Sequence, residues 1–127
     1  MDTQFYLETL LKGKPGLNLT QVRGSLEAPL EGQFRLQSDV AIARHPLTAC
    51  AWQSMIDNQS QMTQRFGAAM EKLSLLGQNK ARLLDCSEVI PVPASLSQRA
   101  YYPKGTSEKD VDSACKTRAW PKLETQA

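Results

Sequence analysis

Hydrophobic and polar residues follow three different patterns along the chain, and the first predicts a short N-terminal helix. Large apolar side chains fall mainly on one side of a helix over residues 3–12, with Asp2 or Thr3 as its cap. Gly13 and Pro15 should end it. Because about three turns of helix are marginal alone, we expect this segment to dock, either within the same chain or on a neighbouring subunit.

The second pattern is an alternation between residues 22 and 42, where mostly apolar or small residues occupy even positions and mostly polar or charged residues occupy odd ones. This period is typical of strands with one buried face. Pro29 and Gly32 indicate a turn, so we predict a β-hairpin of strands 22–28 and 33–42. Two strands alone are barely stable in water, so a helix or a partner chain should cover or extend them.

The third pattern is a heptad repeat that begins near Pro46 and predicts one amphipathic, coiled-coil-like helix over residues 46–84. With Trp52 at position a, most a and d positions are apolar, and the e positions widen the stripe toward that of a bundle helix. A helix of about 39 residues would be roughly 58 Å long, which exceeds the width of so small a domain. Another copy or another protein should therefore cover part of the stripe.

The C-terminal segment changes character after Asp85, where prolines exclude a long helix and few aliphatic residues remain. Ser107, followed three residues later by Asp110, predicts a short capped helix within 108–119. We therefore predict a small domain over residues 1–86 and an extended tail over 87–127 that lies along a partner.

These elements together predict a mainly helical α+β fold, and the composition predicts a thin core. The 127 residues are enough for one small domain. Leu, Ile, Val and Phe make up about a fifth of the chain, near the level at which disorder competes with folding. The net charge of +2 lacks the self-repulsion of a typical disordered chain. We therefore expect order that depends on a partner.

The charge and hydropathy patterns exclude several classes of protein. Nucleic-acid binding needs clustered Lys and Arg, which the chain lacks. No window approaches 18 consecutive apolar residues, and Asp2 and Glu8 stand where a signal peptide would carry positive charge. We expect a soluble protein without a transmembrane segment that works inside the cell, a particle or an organelle. The glycosylation sequons at Asn18 and Asn58 are then chance matches, the second inside the predicted long helix.

Candidate chemistry is sparse. Cys50, Cys86 and Cys115 are widely spaced, so either all three thiols stay reduced or a Cys86–Cys115 bridge pins the tail. We assign a capping or surface role to His45, the single histidine, because general-base catalysis would require Asp39 and Cys50 to converge with it. No phosphate-binding loop or metal motif occurs. We therefore predict no catalytic, cofactor-binding or metal-binding residues, and no cofactor.

The predicted function is that of a non-enzymatic structural subunit that binds other proteins in a larger assembly. A different partner is favoured over a second copy, because Arg65 and Lys72 at g positions lack acidic e partners. The alternatives are a homodimeric chaperone or adaptor with a methionine-rich groove, and an amphipathic protein that coats a surface. Packing within the chain competes with partner binding for the stripe and for the tail aromatics. The predicted partner-binding residues are Trp52, Met55, Met62, Phe66, Leu73, Leu76, Leu83, Tyr101, Tyr102 and Trp120.

Overall fold

The computed structural model describes residues 2–13, 25–27, 30, 33–92, 94, 96 and 98–127, and in this part the fold is mainly helical with few strands. The helices are α1 (Gln4–Leu10), α2 (Gln37–Arg44), α3 (Ala49–Gln53) and α4 (Gln59–Ser74). Single 3-10 turns occur at Lys80–Arg82, Ser87–Val89 and Glu108–Asp110. The strands are β1 (Ser25–Glu27), β2 (Phe34–Leu36), β3 (Tyr101–Tyr102) and β4 (Glu124–Thr125). β1 pairs with β2 in antiparallel orientation, and β3 pairs with β4 in parallel orientation.

The core forms around α1, because Leu7 and Leu10 of this short helix are fully buried. Trp52 of α3 packs on the same helix. Its indole N–H donates to the Tyr6 carbonyl at 3.0 Å, and the two ring centroids lie 4.9 Å apart. Residues from α2, the turn after α3, α4 and the C-terminal segment also belong to the cluster, and they are Ala43, Ile56, Met62, Ala100, Tyr102 and Val111.

Two arginines close the C-terminal end of α1, where a helix leaves carbonyls without intrahelical partners. Arg44 donates from Nη1 to the Thr9 carbonyl at 3.1 Å and from Nη2 to the Leu10 carbonyl at 3.2 Å. Arg35 donates from Nη1 to the carbonyls of Thr9 at 3.2 Å and Leu11 at 2.5 Å. Burial, and secondarily the charge of Arg44, lower the pKa of Arg35. The negative end of the helix dipole offsets the repulsion between the two guanidinium groups.

The C-terminal segment binds the same end of α1. The backbone N–H of Asp112 donates to the Leu10 carbonyl at 2.8 Å, and that of Lys12 donates to the Asp110 carbonyl at 2.7 Å. Leu11 and Val111 thereby form an antiparallel bridge. The chain itself therefore supplies a docking site for this part of the tail.

Two glutamines hold the tail at further points by binding its backbone. The side-chain amide of Gln4 donates to the Tyr101 carbonyl and accepts from the Tyr101 N–H, both at 3.0 Å. Gln53 is buried and donates to the carbonyls of Arg118 at 3.1 Å and Ala119 at 3.2 Å. These contacts satisfy backbone groups that have no regular sheet partner, and so they favour one path for the tail.

A disulfide joins Cys50 of α3 to Cys115, across 65 residues of sequence. A cross-link over a loop of this length destabilises the unfolded chain by about 4 kcal/mol in the chain-entropy description. The predicted set of three reduced thiols and the predicted Cys86–Cys115 bridge are both wrong, since Cys86 is the free and exposed cysteine. Spacing alone does not determine which two of three cysteines meet, because the fold brings them together.

The predicted helix over 46–84 is interrupted. Asp57 has a φ of 57°, a left-handed conformation that a helix does not propagate. Asn58 then caps α4, because its side chain accepts from the backbone N–H of Gln61. Beyond Ser74, Gly77 has a φ of 73°, which is typical of residues that follow a helix end. Asp57, Asn58 and Gly77 are local signals for the end or the start of a helix. A heptad pattern of apolar positions does not take account of them.

The predicted strand over 33–42 is mostly helical. β2 ends at Leu36, and α2 begins at the next residue. Two side chains of the face that was predicted to be buried are exposed to solvent, Leu36 at 57% and Ile42 at 48%. The helix instead buries Ala43 and carries Arg44 to the end of α1. Tertiary contacts therefore override the alternation. Residues 22–24 and 28 of the other predicted strand lie outside the described residues, as does the predicted turn apart from Leu30.

The predicted helix within 108–119 is reduced to the 3-10 turn Glu108–Asp110. Ser107 and Asp110 form the expected capping box, with the backbone N–H of Ser107 donating to Oδ2 of Asp110 at 2.8 Å. The helix does not continue, because Val111 turns into the bridge with Leu11. From about residue 99 onward, the tail packs on its own chain.

Removal of the disulfide should destabilise the chain and release the tail. We expect the double variant Cys50→Ser/Cys115→Ser to lower the free energy of unfolding by about 3–4 kcal/mol, measured by urea denaturation, through loss of the loop constraint. The matched control is Cys86→Ser, which should change this free energy by less than about 0.5 kcal/mol because the thiol is free and exposed. Equal effects of the two changes would contradict this assignment.

The hydrogen bonds from Arg44 to the carbonyls of α1 should contribute more to the free energy of unfolding than the ion pair of Arg44 with Asp112. Arg44→Leu keeps the alkyl part but removes two bonds to α1, so we expect a loss of about 2–3 kcal/mol in the free energy of unfolding. Asp112→Asn removes only the ion pair at 2.8 Å, and should cost less than about 1 kcal/mol because the Asp112 side chain is 57% exposed. Comparable losses in urea denaturation would show that the ion pair is the main contribution.

Candidate interaction surface

Among the described residues, contacts cover α4 only over its first turn. Met62 is buried in the core, whereas every described residue from 63 to 99 is exposed except Leu75, which is half-buried. An isolated helix of this length is marginal in water. The described residues therefore leave most of α4 without the packing that a stable amphipathic helix requires.

The exposed segment carries many large apolar side chains, with exposed fractions from 44% at Met70 to 94% at Val92. Surface residues of this kind are unremarkable when scattered singly, but a concentration of them marks an interaction site. We call this set the exposed apolar belt, and it consists of Phe66, Met70, Leu73, Leu76, Leu83, Leu84, Val89, Ile90, Val92 and Leu96.

The two ends of the segment that carries the belt are tied together at Asp57. Arg99 donates to the Asp57 carboxylate from Nε at 3.1 Å and from Nη2 at 2.5 Å, and the backbone N–H of Ala100 donates to it at 3.1 Å. The Asp57 side chain is only 11% exposed, which favours strong charge-assisted bonds. The chain thus leaves the core after Met62 and returns to it at the Asp57–Arg99 contact.

The predicted partner-binding residues divide into two groups. Six lie in or beside the chain's own core: Met62 and Tyr102 are buried, Trp52, Met55 and Trp120 are partly buried against the core, and Tyr101 is half-buried. These six residues therefore pack within the chain, which is the alternative to partner binding that the sequence left open. The other four, which belong to the exposed apolar belt, are Phe66, Leu73, Leu76 and Leu83, and their binding role stays a prediction.

The tail aromatics anchor the tail to its own chain. The indole N–H of Trp120 donates to the Tyr102 hydroxyl at 2.6 Å. Burial is the main cause that raises the pKa of Tyr102, so its hydroxyl is neutral at ordinary pH. Tyr102 is buried and Trp120 is partly buried, so this satisfied polar contact between the two aromatic side chains stabilises the fold.

The residues considered for catalysis do not form a site. Cys50 is in the disulfide, and His45 is exposed with Nδ1 accepting from the backbone N–H of Leu47 at 3.3 Å. A cleft of about 250 Å³ near Gln53 and Trp120 contains no histidine. Among the described residues, no group of three His, Cys, Asp or Glu side chains could hold a metal ion. Within the same part of the chain, no helix has the length and apolarity to cross a membrane.

Three residues that position the belt and the tail are not among the predicted site residues, and they are Asp57, Arg99 and Gln53. Asp57 next to Asn58 is a recognisable turn signal, because both residue types tolerate left-handed backbone and cap helices. Arg99 and Gln53 give no such signal, since their partners lie more than 40 residues away in sequence.

Comparison with known proteins shows similarity to fungal peroxidases. Residues 61–127 match the family described as the fungal peroxidase extension region. Versatile peroxidase VPS1 of Pleurotus eryngii is 48% identical over 120 residues, which are 94% of this chain and 32% of that protein. Manganese peroxidase 3 of Phlebia radiata is 44% identical over 124 residues, 96% of this chain and 34% of that protein. Ligninase C of Trametes versicolor is 44% identical over 126 residues, which are 98% of this chain and 33% of that protein.

These similarities correct the predicted function. The chain spans about a third of the length of the curated relatives it matches, and those relatives are named as enzymes. The prediction of a non-enzymatic structural subunit is therefore wrong, and so are the chaperone, adaptor and surface-coating alternatives. The extension-region match covers residues 61–127, more than half of the 127 residues, so this chain belongs to the fungal peroxidase extension region family.

Proposed function

We propose that this chain is part of a fungal peroxidase, in which its exposed apolar belt packs against the rest of the enzyme. One observation carries the proposal. The matched extension region begins at residue 61, and the cover that the chain provides for α4 ends just after Met62. The first part of the matched region, after Met62 and up to residue 99, is thus the exposed part of the described chain.

The proposed reaction class is the peroxide-dependent oxidation that the word peroxidase denotes. Two relatives are named versatile peroxidase and manganese peroxidase, and a third is named ligninase. The described side chains do not discriminate between the substrates that these names suggest. We therefore assign only the reaction class that the relatives share.

The cofactor that a peroxidase implies is haem, whose iron takes a histidine as its protein ligand. The single histidine here, His45, does not fit this role. It is exposed, its Nδ1 accepts a turn hydrogen bond from Leu47, and it lies outside the cleft near Gln53. We infer that another part of the enzyme holds the haem and that this chain contributes packing and shape.

Burial of the belt has a clear physical advantage. Each large aliphatic side chain that moves from water into a packed interface contributes about 1.5–3 kcal/mol before the cost of ordering. The Asp57–Arg99 contact fixes both ends of the segment, so less conformational entropy is lost on docking than for a free tail. We propose that α4 packs as a bundle helix does, which replaces the long coiled coil predicted from the heptads.

The proposed partner of the belt is the remainder of the same protein. The predicted preference for a different protein over a second copy stays a prediction, whereas the predicted role as a structural subunit is wrong. The Cys50–Cys115 disulfide favours an oxidising compartment over the intracellular setting expected from the sequence. An exported enzyme is consistent with the disulfide and with docking of the belt on the rest of the same protein.

A chimera tests the proposed function. Replacing the matching segment of the Pleurotus eryngii versatile peroxidase with this chain should give a protein that binds haem and oxidises a dye with hydrogen peroxide. The chain alone should show neither property. A chimera that is obtained folded but lacks a haem absorption band and activity would contradict the proposal.

Charged substitutions test the belt separately. In the chimera, Leu73→Asp/Leu76→Asp should lower the yield of haem-containing protein by about tenfold or more, because the docked interface would bury unpaired charges. In the chain alone, the same changes should leave the urea midpoint nearly unchanged, because both side chains are exposed. Leu47→Asp is the matched control: Leu47 is 88% exposed and outside the belt, so the chimera yield should stay within about twofold. An unaffected yield in the double variant would exclude this docking face.

A further inference from the structure

We propose that the cleft beside Gln53 and Trp120 binds a small aromatic acid that carries a hydrogen-bond donor opposite its carboxylate, with 4-hydroxybenzoate as the probe. The cleft has a volume of about 250 Å³. Pockets for drug-sized ligands measure about 300–1,000 Å³, so this one has room for a single ring. Its lining residues all belong to α3 and to the C-terminal tail, so the proposal goes beyond the proposed packing of the belt.

The walls of the cleft are fixed before a ligand arrives. The buried side chain of Gln53 donates to the carbonyls of Arg118 and Ala119. Its Oε1 accepts from the hydroxyl of Ser113 at 2.6 Å. The disulfide joins Cys115, which also lines the cleft, to α3. Because a preformed site loses less conformational entropy on binding than a flexible one, these contacts favour the binding of even a small ligand.

Trp120 offers an aromatic surface to the cleft. Its side chain is partly buried against the core, and its indole N–H donates to the Tyr102 hydroxyl at 2.6 Å. Because that polar group already has a partner, the part of the indole that borders the cleft presents apolar carbon atoms. Aromatic rings pack on one another in offset-stacked or edge-to-face geometry, which adds to the gain from burial. The Trp120 side of the cleft therefore suits a flat ring.

Two opposite charges also line the cleft, Arg118 and Glu108, and both residues are exposed. Among the described residues, neither forms an ion pair, whether with the other or with a third residue. A planar guanidinium donates two parallel N–H bonds to a carboxylate, so Arg118 can hold the acid group of the ligand. An ionised carboxylate only accepts hydrogen bonds, so Glu108 can accept from a ligand hydroxyl.

The positions of the two charges indicate how the ligand lies. Glu108 belongs to the 3-10 turn that its capping box fixes. Burial is the main cause that raises the pKa of Tyr102, and the charge of Glu108 raises it further, so this carboxylate lies within electrostatic range of the Tyr102 hydroxyl. The indole N–H of Trp120 points to the same hydroxyl. The ligand donor would thus lie near the N–H edge of the indole, and the ligand carboxylate would lie toward Arg118.

This arrangement predicts which related compounds bind less well. In 4-hydroxybenzamide the ring and the hydroxyl remain, but the charge that pairs with Arg118 is lost. In terephthalate a second carboxylate replaces the hydroxyl and would face Glu108, a charge of the same sign. Rejection of a competitor by a like charge is a common source of specificity. The two compounds therefore probe Arg118 and Glu108 separately.

The test is an NMR titration of the full chain, labelled with heavy nitrogen and with its disulfide intact. We expect 4-hydroxybenzoate to bind with a Kd of about 1 mM, and the other two compounds to bind about threefold more weakly or worse. The chain has two tryptophans. The indole N–H signal of Trp120 should shift on binding. That of Trp52 should not, because it donates to the Tyr6 carbonyl and lies outside the cleft lining.

Substitutions then separate the two charges. Arg118→Gln should weaken binding of 4-hydroxybenzoate by about threefold or more and leave binding of 4-hydroxybenzamide unchanged. Lys116→Gln is the matched control, because it removes the same charge from an exposed residue outside the lining, and the affinity should change by less than about 1.5-fold. Glu108→Gln should strengthen binding of terephthalate, a gain that partial unfolding does not produce.

The remaining outcomes overturn the proposal. Equal affinities for the three compounds, or no saturable binding by a folded chain, would show that these charges do not select a ligand. A spectrum typical of an unfolded chain would show that this chain does not form the cleft by itself. Binding by the chain but not by a haem-containing chimera would show that the rest of the enzyme fills the cleft. Binding requires neither haem nor peroxide, so an inactive chimera would contradict only the proposed function.

Discussion

The carbonyl oxygens at the C-terminal end of α1 are the point on which the described fold depends. The helix has only seven residues, too few to be stable in isolation. Arg35 and Arg44 donate to its last carbonyls from their side chains, and the backbone N–H of Asp112 donates to the Leu10 carbonyl. Each contact brings a different part of the chain to the same helix, so β2, α2 and the tail are arranged around it.

Around this point the chain builds a core that is small but well connected. The disulfide between Cys50 and Cys115 joins α3 to the tail, and Gln53 lies on the same side of the molecule to hold the tail backbone. Apolar burial, polar contacts and a covalent link thus act on the same segment. Small domains with limited hydrophobic area depend on such additional constraints.

The described fold also has an exposed apolar segment beside its core, and the proposed function rests on this segment. Past Met62 the chain leaves the core with its apolar side chains exposed, and it returns at the Asp57–Arg99 contact. A chain that spans about a third of its peroxidase relatives is expected to expose the surface that the remaining part would cover. The exposed belt is the observation on which the proposed docking rests.

The sequence alone determined the local properties of this protein: the short amphipathic helix α1, the capping box at Ser107 and Asp110, and an apolar stripe in the segment that contains α4. These follow from residues close together in sequence, where propensity and periodicity act directly. Only the tertiary structure decided that α2 is a helix, that Cys50 pairs with Cys115, and that the stripe divides at Met62 into a buried and an exposed half. The physical reason is that each of these depends on contacts between residues far apart in sequence, whose free energies exceed the weak local preferences of the segments they join.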